Sequence, residues 1–351
     1  MQIRWLGHLL PLALPCAVLA GHALGGAWNF LTLVLLFVLL PLADLALGVD
    51  RAPLAPRGSA GPAARLWFDA LLYAWVPIQL ALLAWGAHAV AAATDPVAAL
   101  GVTLSIGAVT GGIGITVAHE LGHRLGRVPR SCAGLLLATV AYGHFLIEHN
   151  KGHHARVATP EDPASARYGE SFFAFLPRTL VGGFVDAWRL ESERLARQGR
   201  TPWHASNRML WVVAAPLAIS LALGVTLGAV AVAFWWLQAT YAVLLLELVN
   251  YVEHYGLARA RGPDGRWERV RHAHSWNSSH RVGNWLLFNL QRHSQHHANV
   301  TRRYEELEHA DDAPQLPASY ASMVLLALVP PLWRRVVHPR LAAWRPGQSP
   351  S

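Results

Sequence analysis

Charge is what this chain of 351 residues has least of. Asp, Glu, Lys and Arg make up 14% of it, against about 25% in soluble domains. The shortage is concentrated: no Lys or Arg occurs between Arg65 and Arg124, or between Arg208 and Arg259. Each gap has room for two membrane-crossing helices at about 20 apolar residues apiece. That argues against two soluble domains and for one membrane domain, residues 1–351, with polar segments inserted between spans. Cysteine is nearly as scarce. Cys16 and Cys132 are the only two and form no CxxC pair, which excludes an internal rubredoxin-type centre, an iron–sulfur cluster or a Cys-rich zinc site. No solenoid repeat and no long low-complexity tract occurs, and the tail 346–351 reads as disordered.

What is present is apolar and basic. Hydrophobic residues make up 53% of the chain, the net charge is +8 and the pI about 10.1. Such a balance suits nucleic-acid binding, but the basic residues sort by segment, as the positive-inside rule requires of a membrane protein. An all-α integral membrane protein with six transmembrane helices is expected, the spans lying at about 5–23, 27–47, 70–93, 97–118, 209–228 and 229–250. The turns after the first, third and fifth are short and lack Lys and Arg. Segments 51–69, 119–208 and 251–351 are rich in Arg, so they and both termini belong in the cytoplasm, the membrane being a bacterial-type inner membrane. Arg4 with the apolar run behind it resembles a signal peptide, but cleavage would leave five spans and break the charge sorting, so it reads as a retained first span. Two further apolar pieces, 135–147 and 323–329, are too short to span and read as re-entrant, interfacial or packed on the domain.

The 19 histidines are the informative residues. Four groups stand beside a predicted cytoplasmic span end or on a cytoplasmic segment: His119 and His123; His149, His153 and His154; His254; and His293, His296 and His297. On a helix, residues i and i+4 share a face, so His119 with His123 can reach one metal, and His149 with His153 repeats that spacing. An adjacent pair such as His296 and His297 can serve two metals. Nine imidazoles exceed what one ion takes, so two ions are implied. Imidazole suits iron, zinc, copper and nickel alike. A lone His near a membrane interface is usually packed or solvated, and His8, His22, His88, His204, His309 and His338 read that way. His144, His272, His274 and His280 are open to a supporting role.

Two other readings compete. His119-Glu120-Leu-Gly-His123 fits the zinc-protease pattern HExxH, with Glu120 as general base, but a zincin needs only one further ligand and leaves seven clustered His unexplained. A metal transporter would spread its ligands along several spans, whereas these sit on one side.

The four groups, in HELGHR, EHNKGHH, NYVEHYGL and LQRHSQHHAN, resemble the His boxes of the membrane-bound alkane 1-monooxygenases, within the fatty-acid desaturase and hydroxylase superfamily. Residues 158–171 and 274–293 match as well, and weaker likeness extends to 41–48 and 301–307. The resemblance implies a non-haem di-iron centre bound by His119, His123, His149, His153, His154, His254, His293, His296 and His297. It implies hydroxylation of the terminal methyl of medium-chain n-alkanes with O2, electrons coming from a separate rubredoxin and an NAD(P)H-dependent rubredoxin reductase. Xylene and cymene monooxygenases have similar boxes, so aromatic methyl groups, or fatty acyl chains, are alternative substrates. Neutral imidazoles leave the metals' charge uncompensated, and Glu120, Glu148, Asp162, Glu247 and Glu253 are the expected supporting carboxylates. Arg124, Arg127, Arg130, Lys151 and Arg292 are the expected contacts for the donor protein, and the substrate, which has no polar handle, is expected to enter from the bilayer.

Overall fold

The computed structural model describes residues 2–55, 58 and 61–344, with side chains from residue 4 onward; the tail at 346–351 lies outside the described residues. Six helices are long and apolar enough to cross a membrane: Arg4–Leu24, Gly26–Leu47, Pro62–Ala91, Pro96–His123, Arg208–Leu227 and Ala229–His254. They are called the first to sixth spans below. Among the described residues there is no β-strand, only three isolated bridges.

The helices outrun the apolar windows that mark them in sequence. The third starts at Pro62, where proline suits the first helical turn. The fourth and sixth continue through His123 and His254, because helix propagation depends on the backbone and not on apolarity. Their histidines therefore ride on rigid helix rather than on the segments beyond it.

Burial ranks the spans. The fourth has 72% of its apolar window buried and the fifth only 6%, so the fourth is central and the fifth peripheral. Small residues allow this centre. A Cβ on Gly107 would stand 2.9 Å from the Gln238 carbonyl, and one on Gly111 would stand 2.7 Å from the Ala242 Cα. The fourth and sixth spans thus meet backbone to backbone, as small residues permit in membranes. Thr110 donates to Gln238 across the same contact at 2.9 Å.

Neither short apolar piece forms a span. Arg127–Ala138 packs on the fourth span and Tyr320–Ala327 on the sixth. The first span packs against the polar end of the protein: Arg4 is ion-paired with Asp50, and His8 is buried against the rings of Phe288 and Tyr304.

The second span also reaches the polar segments. Asp44, 2% exposed, accepts from the backbone N–H groups of Val282 at 2.7 Å and Gly283 at 3.1 Å, at the start of helix Arg281–Leu286. This caps the helix that leads towards the fourth His group. Asp44→Ala strands both donors in a buried setting, at a cost of ~1–3 kcal/mol. A thermal midpoint lowered by several degrees in detergent is the expected result; an unchanged midpoint would contradict the role.

Candidate metal centre

The nine clustered histidines come together as two groups. His119, His123, His149, His154 and His296 form one; His153, His254, His293 and His297 form the other. Within each group the candidate donor atoms all lie within 4.8 Å of one another. In the first, Nε2 of His149 lies 3.1 Å from that of His123 and 3.0 Å from that of His154, and His154 lies 3.2 Å from His123 and 3.2 Å from His296. In the second, His153 Nε2 is 3.3 Å from His297 Nε2, and His293 Nε2 is 3.2 Å from His254 Nε2.

The sorting within the second box corrects the spacing argument. His149 and His153, four apart, go to different groups, while His149 and His154, five apart, share one. The cause is a π-helical turn over His149–His153, in which the His154 N–H donates to the His149 carbonyl. Such a turn is one residue wider than an α-helical turn, so i+5 takes the place that i+4 holds in an α-helix. In the fourth box, on helix His293–Ala298, His293 and His297 share a group at ordinary α spacing and His296 joins the other. Adjacent helical residues diverge by about 100°, which lets the pairs His153–His154 and His296–His297 each serve both groups.

Gly152 lies in the π turn against a charged cluster: a Cβ there would stand 2.5 to 2.7 Å from Arg156 Nη2, Asp186 Oδ2 and Glu148 Oε1, side-chain ends that would have to shift.

The donor atoms fit cations. A neutral imidazole nitrogen carries either a proton or a lone pair. Three Nε2 atoms in mutual contact (His123, His149, His154) cannot all pair by hydrogen bonds, since two of any three must be alike. His119 Nε2 is buried with no hydrogen-bond partner. Nitrogens about 2.1 Å from a shared ion stand about 3.0 to 3.4 Å apart at angles between 90° and tetrahedral, which brackets the separations found. Burial, followed by the neighbouring imidazoles, pushes His149, His154, His293, His296 and His297 well below the usual imidazole range. They are neutral at pH 7, the form that binds metal.

The five carboxylates play different parts. Asp162 stands behind an imidazole: His153 Nδ1 donates to its Oδ2 at 2.9 Å, and the Ser165 hydroxyl donates to the same oxygen at 2.6 Å. Burial works to raise its pKa, but the contacts with His153 and Ser165 outweigh that and hold it below the usual range. This bond turns the His153 Nε2 lone pair inward. Asp162→Asn weakens the acceptor, and a 10- to 100-fold loss of metal affinity or turnover is expected on the scale of such partners, about one to two decades. Full metal content with full turnover would show that Asp162 orients nothing.

Glu253 lies on the other side, with Oε2 3.2 Å from His293 Nε2 and Oε1 buried without a partner. It faces the nitrogen that points into the group and does not brace the ring from behind. Glu148 leaves Oε1 unbonded, 3.8 Å from Arg156. Glu247 binds Tyr142, Thr179 and Asn250. Glu120 is ion-paired with Arg124 at 3.1 Å, which removes it from the general-base position of a zincin.

Two of the five basic residues expected at a partner surface are engaged inside the fold. Arg292 is 3% exposed and donates to the carbonyls of Leu307, Asp50 and Ala52. Arg124 bridges Asp69 and Glu120. Charge marked them in sequence, but both are needed to satisfy buried acceptors. Arg127, Arg130 and Lys151 are exposed.

The remaining histidines stay apart from the groups. His272 pairs with Asp312 at 2.8 Å, His280 contacts Ser278, and His309 contacts Ser279. The His274 ring contacts Glu268, but its carbonyl stands 3.3 Å from His254 Nδ1 as an acceptor, a backbone contribution that sequence could not reveal. His144 lies against Tyr142, on a cavity discussed below.

An apolar cavity ends on the metal groups. His119, His149 and His293 close it at one end, with Gly112, Leu245, Val249 and Leu287 along its wall. A second cavity shares these last four residues and continues to Leu36, Phe37 and Leu40 on the second span and Ala321 and Val324 beside it. The two cavities adjoin at these four shared residues, Gly112 among them, and together are called the apolar passage below. A Cβ on Gly112 would meet nothing within 4 Å.

Comparison with known proteins agrees with this arrangement. The family model for fatty acid desaturases matches residues 94–327. Alkane 1-monooxygenase 2 of Pseudomonas aeruginosa is 43% identical over 347 residues, covering 98% of this chain and 92% of the relative. Alkane 1-monooxygenase 1 of Alcanivorax borkumensis is 40% identical, covering 91% and 79%. The hydroxylase component of the xylene/toluene monooxygenase of Pseudomonas putida is 30% identical, covering 96% and 89%.

Proposed function

Since the chain belongs to the alkane 1-monooxygenases, oxidoreductases within the fatty acid desaturase family, we propose that it hydroxylates the terminal methyl of medium-chain n-alkanes with O2, giving primary alcohols. The metals are two irons. His119, His123, His149, His154 and His296 hold one; His153, His254, His293 and His297 hold the other. When bound, the iron pair supplies dioxygen activation and oxidation of an unactivated C–H bond, chemistry that no side chain can perform.

The observation that carries the substrate class is the apolar passage that ends on His119, His149 and His293. A ligand with no polar group is held by shape and by exclusion of water. The passage begins between the second span and helix Tyr320–Ala327, so an alkane dissolved in the bilayer enters sideways. Ile115, Leu245, Leu246, Val249 and Leu290 line its inner part and keep water from the reacting methyl group. The identity to alkane enzymes exceeds that to the xylene/toluene enzyme, which favours alkanes over aromatic methyl groups.

The electrons come from a separate rubredoxin, reduced by an NAD(P)H-dependent reductase, because two lone cysteines cannot build such a centre in this chain. The exposed Arg127, Arg130 and Lys151 suit an acidic donor. The Arg-rich segments face the cytoplasm, with both termini on that side of the inner membrane.

The test is turnover by the purified protein with ferrous iron, rubredoxin, its reductase and NADH. Octane, dodecane and p-xylene are offered in parallel, and iron and zinc are measured on the same sample. Primary alcohol from an alkane with about two irons per chain, one for each histidine group, is the expected result. Product from xylene alone would move the substrate class; zinc without oxygenated product would overturn the reading.

A further inference from the structure

Glu247 is a carboxylate inside the sixth span, 1% exposed, and ionisable groups at membrane depth are costly enough to be functional by default. Three donors converge on it. The Tyr142 hydroxyl donates to Oε1 at 2.6 Å; the Thr179 hydroxyl donates to Oε2 at 2.9 Å and the Asn250 amide at 3.2 Å. None of the nine imidazoles is among its hydrogen-bond partners.

These groups border a cavity of a different kind from the apolar passage. Tyr142, His144, Glu148, Thr179, Glu247 and Asn250 line it, with room for about one water molecule. His144 Nε2 and Glu148 Oε1 are buried there with no hydrogen-bond partner, so a water would be bonded from several sides. Its position is informative. Phe145, His149 and Asn250 line both this cavity and the apolar passage, so the two lie side by side next to the metal groups. On the far side, Glu148 lies 3.8 Å from Arg156, which is ion-paired with Asp186; Asp186 in turn pairs at 2.7 Å with Arg189, 52% exposed. Polar groups thus run from the surface to Glu247 and stop at Asn250, where the apolar wall begins.

We propose that this cavity is the proton route of the enzyme and that Glu247 is the group that carries protons along it. The inference rests on the monooxygenase reading above. In that reaction one O–O and one C–H bond break. One oxygen enters the new C–O bond and leaves as alcohol, and the other leaves as water. Two electrons from the one-electron donor protein and two protons from solvent balance the change. The apolar passage cannot conduct those protons, and the Glu247 cavity is a polar region that adjoins it. Glu247 accepts a proton from cavity water, and Tyr142 and Asn250 keep its carboxylate turned towards the junction.

A structural carboxylate and a proton carrier respond oppositely to two substitutions. Glu247→Gln keeps size and an acceptor for Tyr142 but cannot exchange a proton. Glu247→Asp keeps the proton chemistry and shortens the reach. With iron content unchanged, the expected turnover order is wild type, then Asp, then Gln, with Gln lower than wild type by about 10- to 100-fold, in the lower range of positioned proton transfer. Reductant consumed by the Gln variant should appear as hydrogen peroxide. Gln equal to or above Asp would overturn the proposal. A second readout does not depend on turnover. In the purified protein, whatever its metal content, the carboxylate infrared band lost in Glu247→Gln should shift within seconds of transfer to D2O, as its donors exchange through the cavity. A band that holds for hours marks a sealed site and overturns the route. If Glu247→Gln does not assemble, Tyr142→Phe takes its place, with the same rise in peroxide expected and an unchanged yield of alcohol per NADH overturning the proposal. A wild type that hydroxylates nothing would sink the monooxygenase reading, while the infrared result would still decide whether the route exists.

Discussion

His153→Ala is expected to abolish alkane hydroxylation and to lower iron from about two to about one per chain, since each histidine group is proposed to hold one ion. His153 is one of only four imidazoles in its group, so its loss leaves three donors where the other group still has five. Neither of these two neighbours replaces it: His154 already points to the first group, and Asp162, freed of its partner, is held by Ser165 and by the Ala164 N–H at 3.1 Å. Partners behind a metal ligand are worth about one to two decades, so removal of the ligand itself should exceed ~100-fold. His154→Ala makes the complementary test, because it depletes the five-membered group and should leave the four-membered one loaded. Iron content and a spectroscopic probe of the remaining ion on both variants decide the matter. Identical losses from the two would argue for a single shared site and against the division drawn here.

Gly112→Leu should disfavour long alkanes more than short ones. Gly112 lies in the π-helical turn Thr110–Gly114 of the fourth span, where the two cavities of the apolar passage adjoin. Its missing side chain faces open space, with no atom within 4 Å of a Cβ built there, and its φ is not one that disfavours other residues. A Cβ therefore meets no strain there, and a leucine would carry its further carbons into that space. One misplaced methylene in an apolar pocket is worth about 1–3 kcal/mol, so four side-chain carbons there should lower the dodecane-to-octane product ratio by at least ~10-fold. Gly112→Ala should give a smaller shift in the same direction. Competition between the two alkanes in one reaction, read by gas chromatography, avoids any dependence on enzyme concentration. An unchanged ratio in both variants would mean that the alkane travels by another path.

Much of this molecule is legible from composition and spacing alone. Gaps free of Lys and Arg locate the spans because a bilayer tolerates few charges, and the nine clustered histidines stand out because polar groups there need a purpose. Other features are invisible at that level. The partition of His149, His153 and His154 runs against α-helical periodicity because of a π turn, in which Gly152 lies against Arg156, Asp186 and Glu148. Arg124 and Arg292 look like surface charge until Asp69, Glu120 and three backbone carbonyls claim them. The signals for Gly112 and Gly152 were present as glycines, but a glycine does not announce whether its space is filled by a neighbour or left open.

The sequence by itself determined how many apolar helices form, which imidazoles can bind metal, and that these residues hold no cysteine-ligated cluster. These follow from local chemistry: hydropathy over about 20 residues, the donor properties of imidazole, and a count of cysteines. Only the tertiary structure decided how the nine imidazoles divide, which carboxylate braces a ligand and which faces the metals, and where the apolar passage and the polar cavity lie side by side. Those depend on distances between residues as far apart as Tyr142 and Glu247, or His154 and His296, and such distances are set by how helices pack, which no single segment encodes.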